Sequence, residues 1–226
     1  MCGRYTLKTD AKVIQDELGL EESPALTARY NIAPTQGAPI VTAVAPRALT
    51  VAQWGLIPFW ATDPRIASRH INARSESVDE KKAFKEAFER RRCLVVADGF
   101  YEWTHAGKTS QPFYIHLASG RPFTLAGLWE KWRSPAGLDV VSFTILTTRA
   151  DAFMSKLHDR MPVFLSAGER ATWLAPDVSK EALKALFEPH TPEALKAFEV
   201  EPRVNSAAVD DARCLEPARQ VQLSLL

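Results

Sequence analysis

Apolar positions along this chain change period several times, and each change predicts an element. Over residues 11–20, AKVIQDELGL, Val13, Ile14 and Leu18 fall on one side at helical spacing, with Thr9 or Asp10 where an N-cap belongs. The next segment, SPALTARYNIAPTQGAP, carries prolines at 24, 34 and 39. Each proline removes an amide donor and pushes its predecessor toward extended backbone, so this segment reads as irregular. PIVTAVA and ALTVAQW predict two strands around Pro46-Arg47. WGLIPFWATDPRIASRHINARSES then reads as a long irregular loop, rich in aromatic and basic residues. Long loops in compact domains tend to carry function.

Ser77-x-x-Glu80 is a capping box and predicts a helix over 78–90, with Ala83, Phe84, Ala87 and Phe88 as its buried stripe. Arg90, Arg91 and Arg92 stand at its C-terminal end, where cations suit the helix dipole; that reading is preferred to a nucleic-acid patch. CLVVAD, QPFYIHL, PFTLAGLW and VVSFTILT predict strands, with turn signals at His105-Ala106-Gly107-Lys108 and Ser119-Gly120. A short helix is expected near 150–156, another after the Ser166-x-x-Glu169 capping box, and another from Thr191-Pro192-Glu193. Strands grouped together with helices around them imply an α+β fold rather than alternating βαβ units. The expectation is one domain over residues 1–226, a largely antiparallel, barrel-like sheet with surrounding helices and a C-terminal tail from about residue 206.

Composition narrows the function classes. With 28 basic and 27 acidic side chains the formal net charge is +1, which excludes a polycationic nucleic-acid coat but leaves a local basic groove open. No run approaches the ~20 apolar residues of a membrane-spanning helix, and the charged N-terminus lacks the apolar stretch of a secretory signal. Three scattered cysteines, Cys2, Cys93 and Cys214, argue against a disulfide framework and for a reducing, cytoplasmic setting. Neither a zinc-ligand spacing nor a GxxxxGK[ST] loop is present, so neither a metal nor a nucleotide cofactor is expected.

The candidate chemistry starts at Cys2. Methionine before a small residue is commonly trimmed, which would expose a cysteine carrying both an α-amine, pKa about 7.7–8.0, and a thiol near 8.5. Such a 1,2-aminothiol can form a Schiff base with an aldehyde and then close its sulfur onto the same carbon as a thiazolidine. The competing reading is a frayed terminus with an incidental cysteine. Glu102, in ADGFYEW, lies between two aromatics at a strand end. It is either a carboxyl raised toward neutrality by apolar rings or a solvent-facing residue on an alternating strand. His158, in LHDRMPV, could shuttle protons or serve as a cap. Asn72, in HINAR, could orient an amine or be an ordinary turn residue. Arg4, Arg74 and Arg160 each lie within two residues of one of these positions and suit phosphate oxygens. Trp60 sits in the loop and could stack on an unpaired base, whereas Trp54 reads as core.

MCGRY at 1–5, RYNIAPTQ at 29–36, WGLIPFWA at 54–61, INARSES at 71–77, ADGFYEW at 97–103, LHDRMPV at 157–163 and VN at 204–205 together resemble the SRAP family, the SOS response-associated peptidases or abasic-site processing proteins. The match is collinear from residue 1 to about 205. The resemblance implies a barrel-like α+β fold that binds single-stranded DNA, or single-strand/duplex junctions, carrying an abasic site. It implies Cys2 as nucleophile toward the ring-opened sugar aldehyde, after autocatalytic or aminopeptidase removal of Met1. Asn72 would then position the Cys2 amine and backbone. Glu102 would move protons in ring opening and Schiff-base formation, and His158 in ring closure, release and strand cleavage. Arg4, Arg74 and Arg160 would contact phosphates, and Trp60 and Pro34 would shape the bend in the DNA. This chain departs from the family pattern at Ala61, where some members carry a second aromatic, and at Ser77, where the INAR block often continues Glu-Thr.

Two other readings begin from the same residues. Class II glutamine amidotransferases also start Met-Cys-Gly and use an N-terminal nucleophile, but they continue Ile-x-Gly and carry HRG and NGE segments, which are missing here. A noncatalytic single-strand DNA-binding module would keep the arginines and Trp60 without needing Cys2, Glu102 or His158.

Overall fold

The computed structural model describes residues 2–21, 25–106 and 109–218. In chain order its strands are β1 (Arg4–Leu7), β2 (Arg29–Ile32), β3 (Gly37–Thr42), β4 (Ala45–Trp54), β5 (Asn72–Arg74), β6 (Arg92–Ala97), β7 (Gly99–Ala106), β8 (Thr109–Leu117), β9 (Phe123–Arg133), β10 (Asp139–Arg149), β11 (Arg160–Pro162), β12 (Phe164–Leu165) and β13 (Leu195–Glu199). The helices are α1 (Ala11–Leu18), α2 (Lys85–Arg90), α3 (Ala167–Leu174) and α4 (Lys180–Ala185).

Five of these strands close into a barrel. β3 pairs antiparallel with β4 and β6, β6 with β9, and β9 with β10; β10 returns to β4 in parallel and shuts the ring. β5, β11 and β12 extend it at its rims. Every residue of β6 is buried because one face lines the barrel and the other is covered by α2 and α3. That is why CLVVA reads as a continuous apolar run and not as an alternation. A second sheet, in the order β13-β8-β7-β1-β2, lies across the barrel. Its alternation is clean: Tyr5, Phe100 and Ile115 join the main core, whereas Tyr101, Tyr114 and Phe198 pack on the opposite face with Val200, Val204 and Cys214. The second sheet is thus sandwiched between the barrel and the C-terminal segment. The expected α+β, largely antiparallel barrel is the fold observed, with parallel pairing confined to β10 with β4 and β5.

Several local expectations change. α1 forms with Asp10 as its cap and Ile14 buried, but Val13 is about half exposed. The segment expected to be irregular contains β2 and the start of β3; its Pro24 lies outside the described residues. The β3–β4 turn is Ala43-Val44, and Pro46-Arg47 is inside β4. The long loop after β4 is punctuated by a 3-10 turn over Pro64–Arg69 and by β5. No helix starts at Ser77; α2 begins at Lys85. Between them the chain folds back to bury Val78 and to place the Asp79 carboxylate 2.7 Å from Lys184 Nζ on α4, an element the sequence reading did not contain. At the end of α2, Arg92 is 3% exposed and its guanidinium donates to the carbonyls of Phe88, Glu89, Trp173 and Ala175. It thereby satisfies terminal carbonyls that the helix itself cannot. The expected helix at 150–156 is a 3-10 turn over Met154–Lys156, and the capping box at Ser166 holds. Thr191-Pro192-Glu193 leads into β13 rather than a helix. Gly107 and Lys108 of the expected turn lie outside the described residues. The stretch read as a tail is packed through Ala218: Asp210 accepts the backbone N–H groups of Tyr30 and Asn31, and Cys214 is buried.

Candidate active site

The start of the chain is delivered to the second sheet by β1, which runs antiparallel to β7 with Arg4 opposite Tyr101. Extending that register sets Gly3 opposite Glu102, and the Glu102 charge bears on the Cys2 thiol. Glu102 is in the middle of β7 rather than at a strand end, and it is 2% exposed; the buried arrangement, not the solvent-facing one, is adopted. β7 can reach this position because its first residue is Gly99, where a Cβ would lie 2.2 Å from the Tyr114 hydroxyl. On the barrel side β5 presents Asn72, whose Nδ2 donates to the Cys2 carbonyl at 2.9 Å. Asn72 is a strand residue, paired with Ile145 of β10. Its Oδ1 is buried and meets no donor among the described residues, so one acceptor of this side chain stays open.

Burial sets the electrostatics. Cys2 is fully buried, and desolvation followed by the Glu102 charge drives its thiol well above its ordinary value, so the sulfur stays protonated at neutral pH. Burial likewise pushes Glu102 up to about 7; the charge of Asp159 raises it further, and the Trp103 backbone N–H acts against both. Near neutral pH this carboxyl is present in both protonation states, which is the condition for giving and taking protons efficiently. Asp159 belongs to the 157–163 block, and its charge reaches Glu102. There His158 follows the 3-10 turn, its Nδ1 2.9 Å from the Arg160 backbone N–H and 2.7 Å from Asp159 Oδ1.

The arginines divide. Arg4 Nη1 donates to Asn31 Oδ1 at 3.0 Å and to the Val204 carbonyl at 2.7 Å, and its Nη2 reaches the Asn205 carbonyl at 3.3 Å. Asn31 in turn donates to the carbonyls of Val204, Ser206 and Val209. Arg4 therefore fastens residues 204–209 as a strap across β1 and β2. Trp103, next to Glu102, adds a hydrogen bond from its indole to Asn205 Oδ1 at 2.8 Å. Arg160 makes a two-pronged ion pair with Glu76 at 2.5 and 2.9 Å and donates to the Thr147 carbonyl. Both guanidiniums thus already hold partners within the protein, alongside their expected role as phosphate contacts. Arg74 is different: it is exposed, and its side chain makes no hydrogen bond or ion pair to the described residues.

Trp54 is fully buried, as expected for core, with its indole donating to the Ile71 carbonyl at 2.8 Å. Trp60 and Phe59 are exposed, and Lys82 Nζ lies 4.5 Å above the Trp60 ring. Trp60 borders a cleft of ≈ 450 Å³ that it shares with Asp63, Arg65, Ile66 and Arg69. Pro34 shapes the corner between β2 and β3. The next residue, Thr35, holds φ at +70° and donates its N–H to the Trp54 carbonyl at 2.7 Å. A β-branched residue in the left-handed region is strained, and such strain collects at functional sites. Among the described residues no group of three or more His, Cys, Asp and Glu could hold a metal ion, and no helix is long and apolar enough to cross a membrane.

A family profile described as SOS response associated peptidase (SRAP) matches residues 1–207, which span both sheets and each of these positions. This chain belongs to the SRAP family. Among curated SRAP relatives, it is 37% identical over 222 residues to "Abasic site processing protein YoaM" of Bacillus subtilis, an alignment covering 96% of this chain and 98% of that one. It is 30% identical to "Abasic site processing protein HMCES" of Xenopus tropicalis over 82% of this chain and 65% of that protein. A crystal structure of a Bacteroides thetaiotaomicron protein superposes with a TM-score of 0.87 at 26% identity, covering 96% of this chain and all of the other. Three residues of this SRAP site were not singled out from the sequence. Asp159 was read only as part of its block, although its charge reaches Glu102. Asn31 sits in the RYNIAPTQ block and anchors the strap. Tyr5 follows Arg4; its hydroxyl is buried without a hydrogen-bond partner among the described residues, and burial holds its pKa well above the usual phenol. Only its place in the MCGRY block could have signalled it.

Proposed function

We propose that this protein captures abasic sites in single-stranded DNA, or at single-strand/duplex junctions, as a covalent thiazolidine crosslink through Cys2 once Met1 has been removed. The observation that carries the reading is the burial of Cys2 beside a carboxyl that titrates near neutrality. The names of the relatives supply the lesion.

The chemistry then runs in an order set by protonation. Glu102 takes the proton from the C1′ hydroxyl as the C1′–O4′ bond opens, and O4′ gains a proton. The exposed aldehyde meets the Cys2 amine first, because the buried thiol is not a thiolate. Asn72 fixes the residue through its carbonyl and offers Oδ1 to an amine N–H. The carbinolamine loses water, with Glu102 in its acid form donating the proton, and an imine forms. The thiol then adds to the imine carbon while its proton passes to nitrogen through His158. Aldehyde and aminothiol thus become thiazolidine and water, and the reverse sequence releases the DNA. While the imine persists, proton removal from C2′ would give β-elimination and strand cleavage. With Met1 in place the Cys2 nitrogen is an amide and cannot take part; its removal by the same site accounts for the family's peptidase name. Arg74 supports phosphate contact, and Trp60 with Pro34 supports the bend and base stacking. Arg4 and Arg160 join them only if DNA displaces their present partners.

The test incubates the protein with matched abasic and intact oligonucleotides, followed by denaturing electrophoresis. A heat- and detergent-resistant shift is expected with abasic DNA alone. Cys2→Ala abolishes it. Cys2→Ser keeps the amine and is expected to give an adduct only after borohydride reduction. Binding that never survives denaturation, or release of ammonia from glutamine, would overturn the reading.

A further inference from the structure

His158 Nδ1 has two neighbours that ask opposite things of it. The Arg160 backbone N–H, 2.9 Å away, needs an acceptor, so Nδ1 must carry no proton. Asp159 Oδ1, 2.7 Å away, needs a donor, so Nδ1 must carry one. A neutral imidazole cannot satisfy both through Nδ1, so the neighbour held more firmly there favours one placement of the proton. The two are held very differently. The Asp159 side chain is 85% exposed, and an ion contact so open to water is a weak constraint. Arg160 is fixed from three directions. Its backbone lies in β11, paired with Arg149 of β10; its Nη2 donates to the Thr147 carbonyl at 2.5 Å; and its guanidinium, 13% exposed, grips both oxygens of Glu76. Glu76 is carried by the 3-10 turn that follows β5, the strand that presents Asn72. A single brace therefore ties the Asn72 strand to the His158 turn.

We propose that Glu76 and Arg160 are positioning residues for His158: their ion pair pins the residue whose backbone N–H holds Nδ1 as an acceptor, so that the proton resides on Nε2. Asp159, within this turn, is acidic, and its charge also reaches Glu102 on β7. The brace holds the Arg160 backbone N–H against Nδ1 and so opposes the pull of Asp159 toward a proton there. Bidentate guanidinium–carboxylate geometry suits this task because it fixes orientation as well as distance. The proposal rests on His158 serving as the proton carrier described above.

The experiment records the imidazole nitrogen resonances of His158 in the full, DNA-free protein, alongside single-turnover crosslinking and DNA affinity. The unsubstituted protein is expected to show one neutral tautomer with the proton on Nε2. Glu76→Gln is expected to show a mixture of tautomers and a crosslinking rate lower by roughly tenfold, a fraction of the ~10²–10⁴ that a positioned proton donor supplies, with DNA affinity undiminished. Arg160→Lys, which keeps the charge but not the fork, is expected to behave in the same way. An unchanged tautomer in both variants overturns the proposal. So does faster crosslinking with tighter DNA binding in Glu76→Gln, which would mean that Glu76 merely blocks a phosphate-binding arginine. Because the tautomer is read without DNA, it tests the brace; crosslinking by the unsubstituted protein tests the functional reading independently.

Discussion

Replacing Glu102 by Gln should change the stability of the protein in a way that depends on pH, and the structure fixes the sign. The carboxyl is 2% exposed, and burial raises it from the ordinary 4.5 to about 7. A buried acid with a raised pKa prefers to be neutral in the fold. Between the unfolded and folded values the native state binds more protons than the unfolded chain, so stability falls as pH rises through this window. At 1.36 kcal/mol per pH unit, the displacement corresponds to about 3 kcal/mol by pH 8. Gln has the same shape and no charge to desolvate. The gap between Glu102→Gln and the unsubstituted protein should thus be small at pH 4.5, widen up to about pH 7 and then level off near about 3 kcal/mol in favour of Gln. Urea unfolding at pH 4.5, 6, 7 and 8 measures it directly. The same variant should crosslink abasic DNA slowly at every pH and lose any inflection near 7, while still binding DNA. A gap that stays constant with pH would refute the electrostatic account of this carboxyl.

Arg4→Ala strands carbonyls that the strap presents to it, and each buried polar group left without a partner costs ~1–3 kcal/mol; thermal melts should show the loss, while the salt dependence of DNA binding stays unchanged. Arg74→Ala should do the reverse, leaving stability intact and lowering the slope of log K against log salt by about 1, as expected for one lost phosphate contact. Trp60→Ala should weaken binding of single-stranded DNA by about 1–3 kcal/mol, the worth of one stacked base; equal affinity in a fluorescence titration would mark the ring as idle.

What the sequence made legible was local. The Ser166 capping box needed only four residues, and the apolar runs of β6, β9 and β10 announced themselves because both of their faces are covered. The helix read from Ser77 failed because a distant partner competes for the same residues: Asp79 turns to α4 and Val78 to the core. Thr191-Pro192-Glu193 carries a helix-start signal, yet the following residues find the open edge of β8, and Glu193 accepts the Ser119 N–H instead. For the candidate site, the ordered motifs pointed to Cys2, Asn72, Glu102 and His158. Their sequence could not show that Arg4 and Arg160 already have partners. An isolated arginine looks the same whether it awaits a phosphate or grips a carboxylate 84 residues away.

The strap bears on how the reactive residue is held. Arg4 is bound to the carbonyl of Val204, 200 positions later, and Asn31 to that of Val209. β1 and β2 are thus fastened by a segment that lies 200 positions beyond Arg4. β7 and Asn72 seat the start of β1 from one side, and residues 204–209 complete that seat from the other. A chain lacking residues 204–209 would leave Arg4 and Asn31 without these carbonyls, so the segment after β13 helps to decide how firmly residue 2 is held.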